Sequence, residues 1–224
     1  MEFLKFPSTK YLISYNQSSR DKKIFTDYER KLFLKNNLII EEKMDGSNLG
    51  ISFNSEPSIL IQNRGSYINH CLDSWEGLSN WIKQKENDLF NILGTQYIIF
   101  GEWCRNKHSI HYINLPDWFL AFDIYDKEKK YFISSWKRNL ICKEIGVYPV
   151  PFVKSGVFNI DQLEKLLQTK STFSNSNKEG LYLRYEDEYR LLNRAKIVNK
   201  EFSQSIITHW KNVISDNILN NNKG

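Results

Sequence analysis

The sequence predicts an α+β domain in which largely antiparallel sheets are flanked by helices. Three observations point there. Short apolar segments bounded by turn residues crowd the first half, and helical spacing recurs only at intervals between strand-like segments. No GxGxxG or GxxxxGK[ST] loop is present, so neither a Rossmann nor a P-loop cradle is expected.

The elements follow in order. Asn37–Lys43 and Asn48–Phe53 read as strands flanking the turn-forming Asp45-Gly46-Ser47, and Ser58–Asn63 follows a second turn at Ser55-Glu56-Pro57. Leu72–Leu93 reads as a helix, with Trp75, Leu78, Trp81 and Ile82 at helical spacing. Gln96–Glu102 and Trp118–Tyr125 are apolar, aromatic-rich strands. Ser134–Ile145 opens on a capping serine and stops before Gly146, as a helix does. A short helix over Asp161–Leu167, a hairpin of Leu181–Tyr185 with Tyr189–Asn193, and a closing helix over Phe202–Ile214 complete the reading. Residues 1–224 are expected to form one domain, with 217–224 (Asn217–Gly224) a polar, disordered tail.

Composition narrows the class. The chain has 224 residues, 41% of them hydrophobic, enough to bury a sizeable core. Most of its 14 Phe, 12 Tyr and 6 Trp must be core; some can offer flat faces to a base, and composition does not separate the two uses. A net charge of +5, spread along the chain, permits a polyanionic partner without demonstrating one. Cys71, Cys104 and Cys142 form no CxxC pair, which argues against a disulfide framework or zinc cluster and for a reducing, cytoplasmic compartment. No signal peptide is apparent, and no stretch approaches the roughly 18 apolar residues of a membrane span, so no membrane partner is expected.

The segment Lys43-Met44-Asp45-Gly46-Ser47-Asn48 carries the most chemistry. It ends an apolar strand on a lysine and follows with a tight turn. A partly desolvated lysine near other cations is expected to lose proton affinity and become a nucleophile. A glycine turn lets backbone approach a phosphate closely. Taken alone, the segment reads more readily as an exposed lysine before an ordinary DG hairpin.

The segment does not stand alone. KxDG followed by a polar residue resembles the first motif of the covalent nucleotidyltransferases: DNA ligases, RNA ligases and mRNA capping enzymes. Downstream blocks resemble that superfamily's other motifs, in the same order: Asn63-Arg64-Gly65, Phe100-Gly101-Glu102-Trp103, Phe119–Ile124, Lys178-Glu179-Gly180-Leu181-Tyr182 and Arg194-Ala195-Lys196. The last departs from the usual KxK by an Arg, which keeps charge and changes geometry. The resemblance implies an ATP-grasp-like fold and Lys43 as the residue that becomes adenylylated. It implies nucleotide contacts from Glu42, Asp45, Gly46, Asn48, Arg64, Glu102 (ribose hydroxyls), Phe122 (purine stacking), Glu179, Arg194 and Lys196. Glu179 would also bind a divalent metal, Mg2+ or Mn2+. Arg194 and Lys196, alternate residues of one strand, would reach the triphosphate together.

Within the superfamily, Asn48 and the run Arg194–Phe202 resemble RNA ligases. The segment after Lys196 is too short for an OB-fold barrel, so no C-terminal OB-fold is expected. The resemblance therefore implies an ATP-dependent RNA ligase joining 5′-phosphate and 3′-hydroxyl ends, with RNA as partner, and leaves room for an accessory protein in end recognition. A DNA or mixed polynucleotide ligase, or transfer of AMP to another acceptor, stays open. His108 and His111 lack the neighbouring ligands of a metal site. Arg105, Lys107 and His108 follow the Glu102 strand, where they could meet nucleic-acid phosphates.

Overall fold

The computed structural model describes residues 3–15, 23–55, 58–69, 75, 77–200, 202 and 216–220. The elements run α1 (Asp27–Leu34), β1 (Leu38–Lys43), β2 (Ser47–Phe53), β3 (Ile59–Gln62), α2 (Leu78–Leu93), β4 (Tyr97–Trp103), β5 (Phe119–Asp126) and β6 (Tyr131–Phe132). They continue with α3 (Ser135–Ile145), β7 (Tyr148–Pro149), β8 (Phe152–Gly156), α4 (Ile160–Leu167), β9 (Gly180–Glu186) and β10 (Leu191–Val198). The α+β class holds. One antiparallel sheet has the order β10-β9-β1-β8; the other runs β3-β2-β4-β5-β6, with β7 added parallel to β5.

The caps explain where the helices start. Ser134 accepts from the Lys137 amide at the head of α3, and Gly146 closes that helix at φ 70°. Thr26 and Glu29 form a reciprocal capping box on α1, a helix not expected from the sequence although the Thr-x-x-Glu signal is present there. Helix α2 begins at Leu78, after Gly77 in the left-handed region, rather than at Leu72. Of the expected closing helix only Phe202 is described, and the rest lies outside the described residues.

Each sheet packs on its own helices. Leu38, Ile40, Leu181, Leu183, Ala195 and Ile197 of the first sheet bury against Phe33 of α1 and Leu163 and Leu167 of α4. In the second, Leu49, Ile51, Ile99 and Phe119 bury against Trp81, Ile82 and Leu89 of α2 and Cys142 and Ile145 of α3. Each such side chain contributes on the order of 1.5–3 kcal/mol when fully buried.

The Asp45-Gly46-Ser47 turn is not a hairpin. Lys43 pairs with Gly180 in the first sheet, whereas Ser47 pairs with Trp103 in the second. The chain changes sheets here and opens a cleft between them. A β-carbon at Gly46 would lie 2.5 Å from the Trp103 carbonyl oxygen, so the crossing needs a glycine.

The tail expected to be disordered is corrected for Asn217–Asn220. Asn217 is buried, and Asp216 and Leu219 bridge to Asn106 and Leu115. Buried amide partners, invisible in a polar sequence, hold the segment. Residues 221–224 lie outside the described set.

Candidate active site

The cleft gathers side chains from both sheets. Lys43 ends β1, Glu179 immediately precedes β9, and Lys196 lies on β10 opposite Tyr182. From the other sheet, Asn48 on β2 pairs with Glu102 on β4. Phe122 owes its place to an irregularity in β5: Phe100 pairs with Asp123 and Gly101 with Ala121, leaving Phe122 as the extra residue. An open cavity is lined by Glu42, Lys43, Asn48, Arg64, Glu102, Phe122 and Lys196.

Lys43 Nζ donates to both carboxylate oxygens of Glu179, at 2.8 and 2.5 Å. Burial disfavours its charge, but Glu179, Glu102 and Asp45 outweigh burial and hold the ammonium above its ordinary range. The expectation of a lysine with lowered proton affinity is thereby corrected. Carboxylates on both walls outweigh the nearby charge of Lys196. The carboxylates bear the opposite strain. Burial pushes Glu102 and Glu179 each up to about 7, against the pull of Lys43. Lys196 is lowered to about 8 by burial and by the charges of Lys43 and Arg64.

Two acceptor atoms stand out among the described residues: Glu42 Oε1 and Asn48 Oδ1 are buried without a hydrogen-bond partner, and both residues line the cavity. Such atoms cost roughly 1–3 kcal/mol each unless a ligand meets them. The other Glu42 oxygen accepts from the Thr172 amide at 2.9 Å, which fixes the carboxylate.

The remaining predicted residues play other parts. Asp45 accepts from the Ser109 and Ile110 amides at 2.6 and 3.0 Å, so it anchors the turn to a loop. At Gly180 a β-carbon would sit 2.4 Å from the Ile197 carbonyl oxygen and 3.3 Å from Lys43 Cδ, so this glycine leaves room for the lysine stem. Arg194 is not among the cavity-lining residues. Its guanidinium donates to Asp123 at 2.8 Å and to the Tyr182 hydroxyl at 3.1 Å, and stacks over Phe6 and Phe132. Among the described residues no group of three or more His, Cys, Asp or Glu is arranged to hold a metal. Arg105 pairs with Asp216 and lies over Trp118.

Phe6, Ser8, Thr9, Met44, Val150 and Tyr182 also line the cavity and were not singled out in the sequence. The first three come from a segment stitched to β10: the Leu12 amide donates to the Lys196 carbonyl at 2.9 Å, and the Lys196 amide to the Lys10 carbonyl at 3.0 Å. Only folding brings that segment beside Lys196, and no local pattern signals it.

A lysine at a sheet crossing, faced by carboxylates, cations and an aromatic ring, sits on the fold of a nucleotidyltransferase domain. Residues 36–198 match the model of the RNA ligase family, and the chain belongs to that family. Solved structures agree in fold. A Naegleria gruberi RNA ligase with PPi superposes with a TM-score of 0.63 at 16% identity, over 91% of this chain and 58% of that one. A lysine-to-alanine variant of a Naegleria gruberi RNA ligase with ATP and Mn gives 0.61 at 15% identity, over 89% and 57%. The chain thus spans a little over half the length of these ligases. No curated protein sequence matches.

Proposed function

We propose that this chain is the adenylylating domain of an ATP-dependent RNA ligase that seals 5′-phosphate to 3′-hydroxyl ends through a lysyl-AMP intermediate on Lys43. The observation that carries this reading is the cleft itself. Lys43 Nζ is held between the sheets beside carboxylates on both walls, with Lys196 and Arg64 lining the same cavity.

The division of labour follows from the chemistry of each group. Glu42 Oε1, an acceptor with no partner, suits the exocyclic amine of adenine and would repel the O6 of guanine. Phe122 offers a ring face to the purine. Glu102, across the cleft from Lys43, can accept two hydrogen bonds from ribose hydroxyls. Lys196 and Arg64 oppose phosphate charge. Lys196, lowered to about 8, recovers its full charge when a polyanion arrives.

Glu179 suits a divalent cation shared with the phosphates, since Mg2+ or Mn2+ takes one or two carboxylates and leaves other positions to nucleotide oxygens. Such a cation, when bound, neutralises charge on the departing pyrophosphate. As Glu179 turns its oxygens away from Lys43, the lysine loses the partner that keeps it protonated and gives up one proton to solvent in the open cleft. The free amine then attacks the α-phosphorus: an N–P bond forms, and the P–O bond to pyrophosphate breaks. AMP passes next to an RNA 5′-phosphate, and a 3′-hydroxyl displaces it.

The Naegleria ligases that superpose were solved with ATP and Mn or with PPi, which supports these ligands. The chemistry suits repair of RNA breaks. The buried free thiols of Cys104 and Cys142 suit a reducing cytoplasm. No helix among the described residues is long and apolar enough to cross a membrane. An accessory protein or further domain could supply end recognition.

The test is incubation with α-labelled ATP, mapping of the labelled peptide, and sealing assays on matched RNA and DNA ends. Label on Lys43 with preferential sealing of RNA is expected. Label on a residue other than Lys43 would refute the assignment, and preferential sealing of DNA would refute the substrate.

A further inference from the structure

Because β1 and β2 part into different sheets, ladder hydrogen bonds cannot steady the turn that follows Lys43. What steadies it is the irregular loop between β4 and β5. The Asp45 amide donates to the Tyr112 hydroxyl at 2.9 Å, and the Asp45 carboxylate accepts from the Ser109 and Ile110 amides. Tyr112 is fully buried. A loop of this length with no secondary structure needs external ties to hold one shape.

Those ties converge on Asn217. Its Oδ1 accepts from the Tyr112 amide at 2.8 Å, and its Nδ2 donates to the carbonyls of Cys104 at 2.7 Å and Asn106 at 3.3 Å. Its own amide donates to the Arg105 carbonyl at 2.8 Å, and the Ile218 amide to the Tyr112 carbonyl at 2.9 Å. Asn217 is 3% exposed. A side-chain amide is both donor and acceptor, so one residue satisfies main-chain groups at two ends of the loop. Alanine there would strand two buried backbone groups, the Tyr112 amide and the Cys104 carbonyl, and free the part-buried Asn106 carbonyl.

We infer that Asn217 is a positioning residue for the Lys43 nucleophile, acting through the chain Asn217–Tyr112–Asp45, so that the segment 216–220 latches the turn bearing Lys43. It rests on the reading of Lys43 as the nucleophile. The hydrogen bonds of Asn217 go to Tyr112, Cys104, Asn106 and Arg105, none of which lines the cavity. Its influence is on where the amine sits, so it should alter the rate of the chemical step and leave nucleotide binding nearly intact.

The experiment compares Asn217→Ala, Tyr112→Phe and the double variant in the full chain. Hydrogen exchange at the Asp45 amide reports the latch, and single-turnover transfer of label from ATP reports the chemistry. Asn217→Ala should speed Asp45 exchange and slow labelling by up to about a hundredfold, with little change in the KM for ATP. Tyr112→Phe should act in the same direction by roughly three- to tenfold. The double variant should be no slower than Asn217→Ala, because both residues act along one path; two independent effects would multiply.

The inference is overturned if Asn217→Ala melts at a lower temperature yet labels at the wild-type rate, or if Asp45 exchange is unchanged in the folded variant. Should Asn217→Ala fail to fold, Tyr112→Phe decides by the same two readouts, with normal exchange and normal labelling counting against the latch. If the wild-type chain takes no label on Lys43, the functional reading fails, while the exchange data still decide whether the latch exists.

Discussion

Two clusters of buried charge lie between the sheets, both built on carboxylates and cations and treated oppositely by the fold. Behind Phe122, Arg138 grips Glu41 through both terminal nitrogens, and Arg184 pairs with Asp123 and with Glu186. Both arginines also donate to the Phe122 carbonyl, at 2.6 and 3.1 Å. Burial alone would raise Asp123, but Arg184 and Arg194 outweigh it and hold the carboxyl below its usual range. In front, Glu102 and Glu179 are pushed up to about 7, Lys196 is lowered to about 8, and acceptor oxygens on Glu42 and Asn48 go unmet. The rear cluster is internally matched and serves the fold. The front cluster is mismatched until something charged and polar enters it, which is how a binding site differs from a structural ion-pair network.

The comparison breaks most sharply at Lys43. Lys43→Ala should abolish the covalent adduct entirely, read as loss of label after denaturing electrophoresis, while melting changes little. In the rear cluster the readouts exchange places. Arg184→Ala leaves Asp123 and Glu186 buried without their main partner, and should cost about 3–5 kcal/mol in denaturant unfolding.

Lys196→Ala should slow label transfer from ATP by roughly a hundredfold, by leaving phosphate charge unopposed. Sealing of a pre-adenylated RNA end should suffer less, and stability should hold, because folding already disfavours this charge. Phe122→Ala should weaken ATP use by about 1–3 kcal/mol of lost stacking, measured as a rise in the KM for ATP.

The smallest effect is the pH response. If Glu102 must be ionised to work, kcat/KM for ATP rises with pH up to about 7 and then levels, and Glu102→Gln flattens that limb. Stability runs the other way. A carboxyl whose native pKa is raised from 4.5 to about 7 stabilises the fold most below 4.5, and this contribution is lost as pH climbs through 7. Glu102→Gln should therefore weaken the decline in unfolding free energy between those limits.

The sequence by itself determined most of the longer strands and the helices α2 to α4, because alternation, helical spacing and caps such as Ser134 and Gly146 are local, whereas α1, β6, β7 and β8 were not read from it. It also carried the family's ordered motifs, and most residues picked from them do line one cavity. The tertiary structure alone decided the rest. Glu41 and Glu42 are neighbours of one type, yet the first is neutralised by Arg138 and the second keeps an unmet oxygen in the cleft. Arg194 and Lys196 share a strand, yet Asp123 claims the first and the cavity the second. Asn217 lies in a polar tail that reads as disorder, and Phe6 lies far upstream of Lys43, yet folding buries both. Each of these outcomes turns on a partner distant in the chain, and a local pattern contains no information about which partner will arrive.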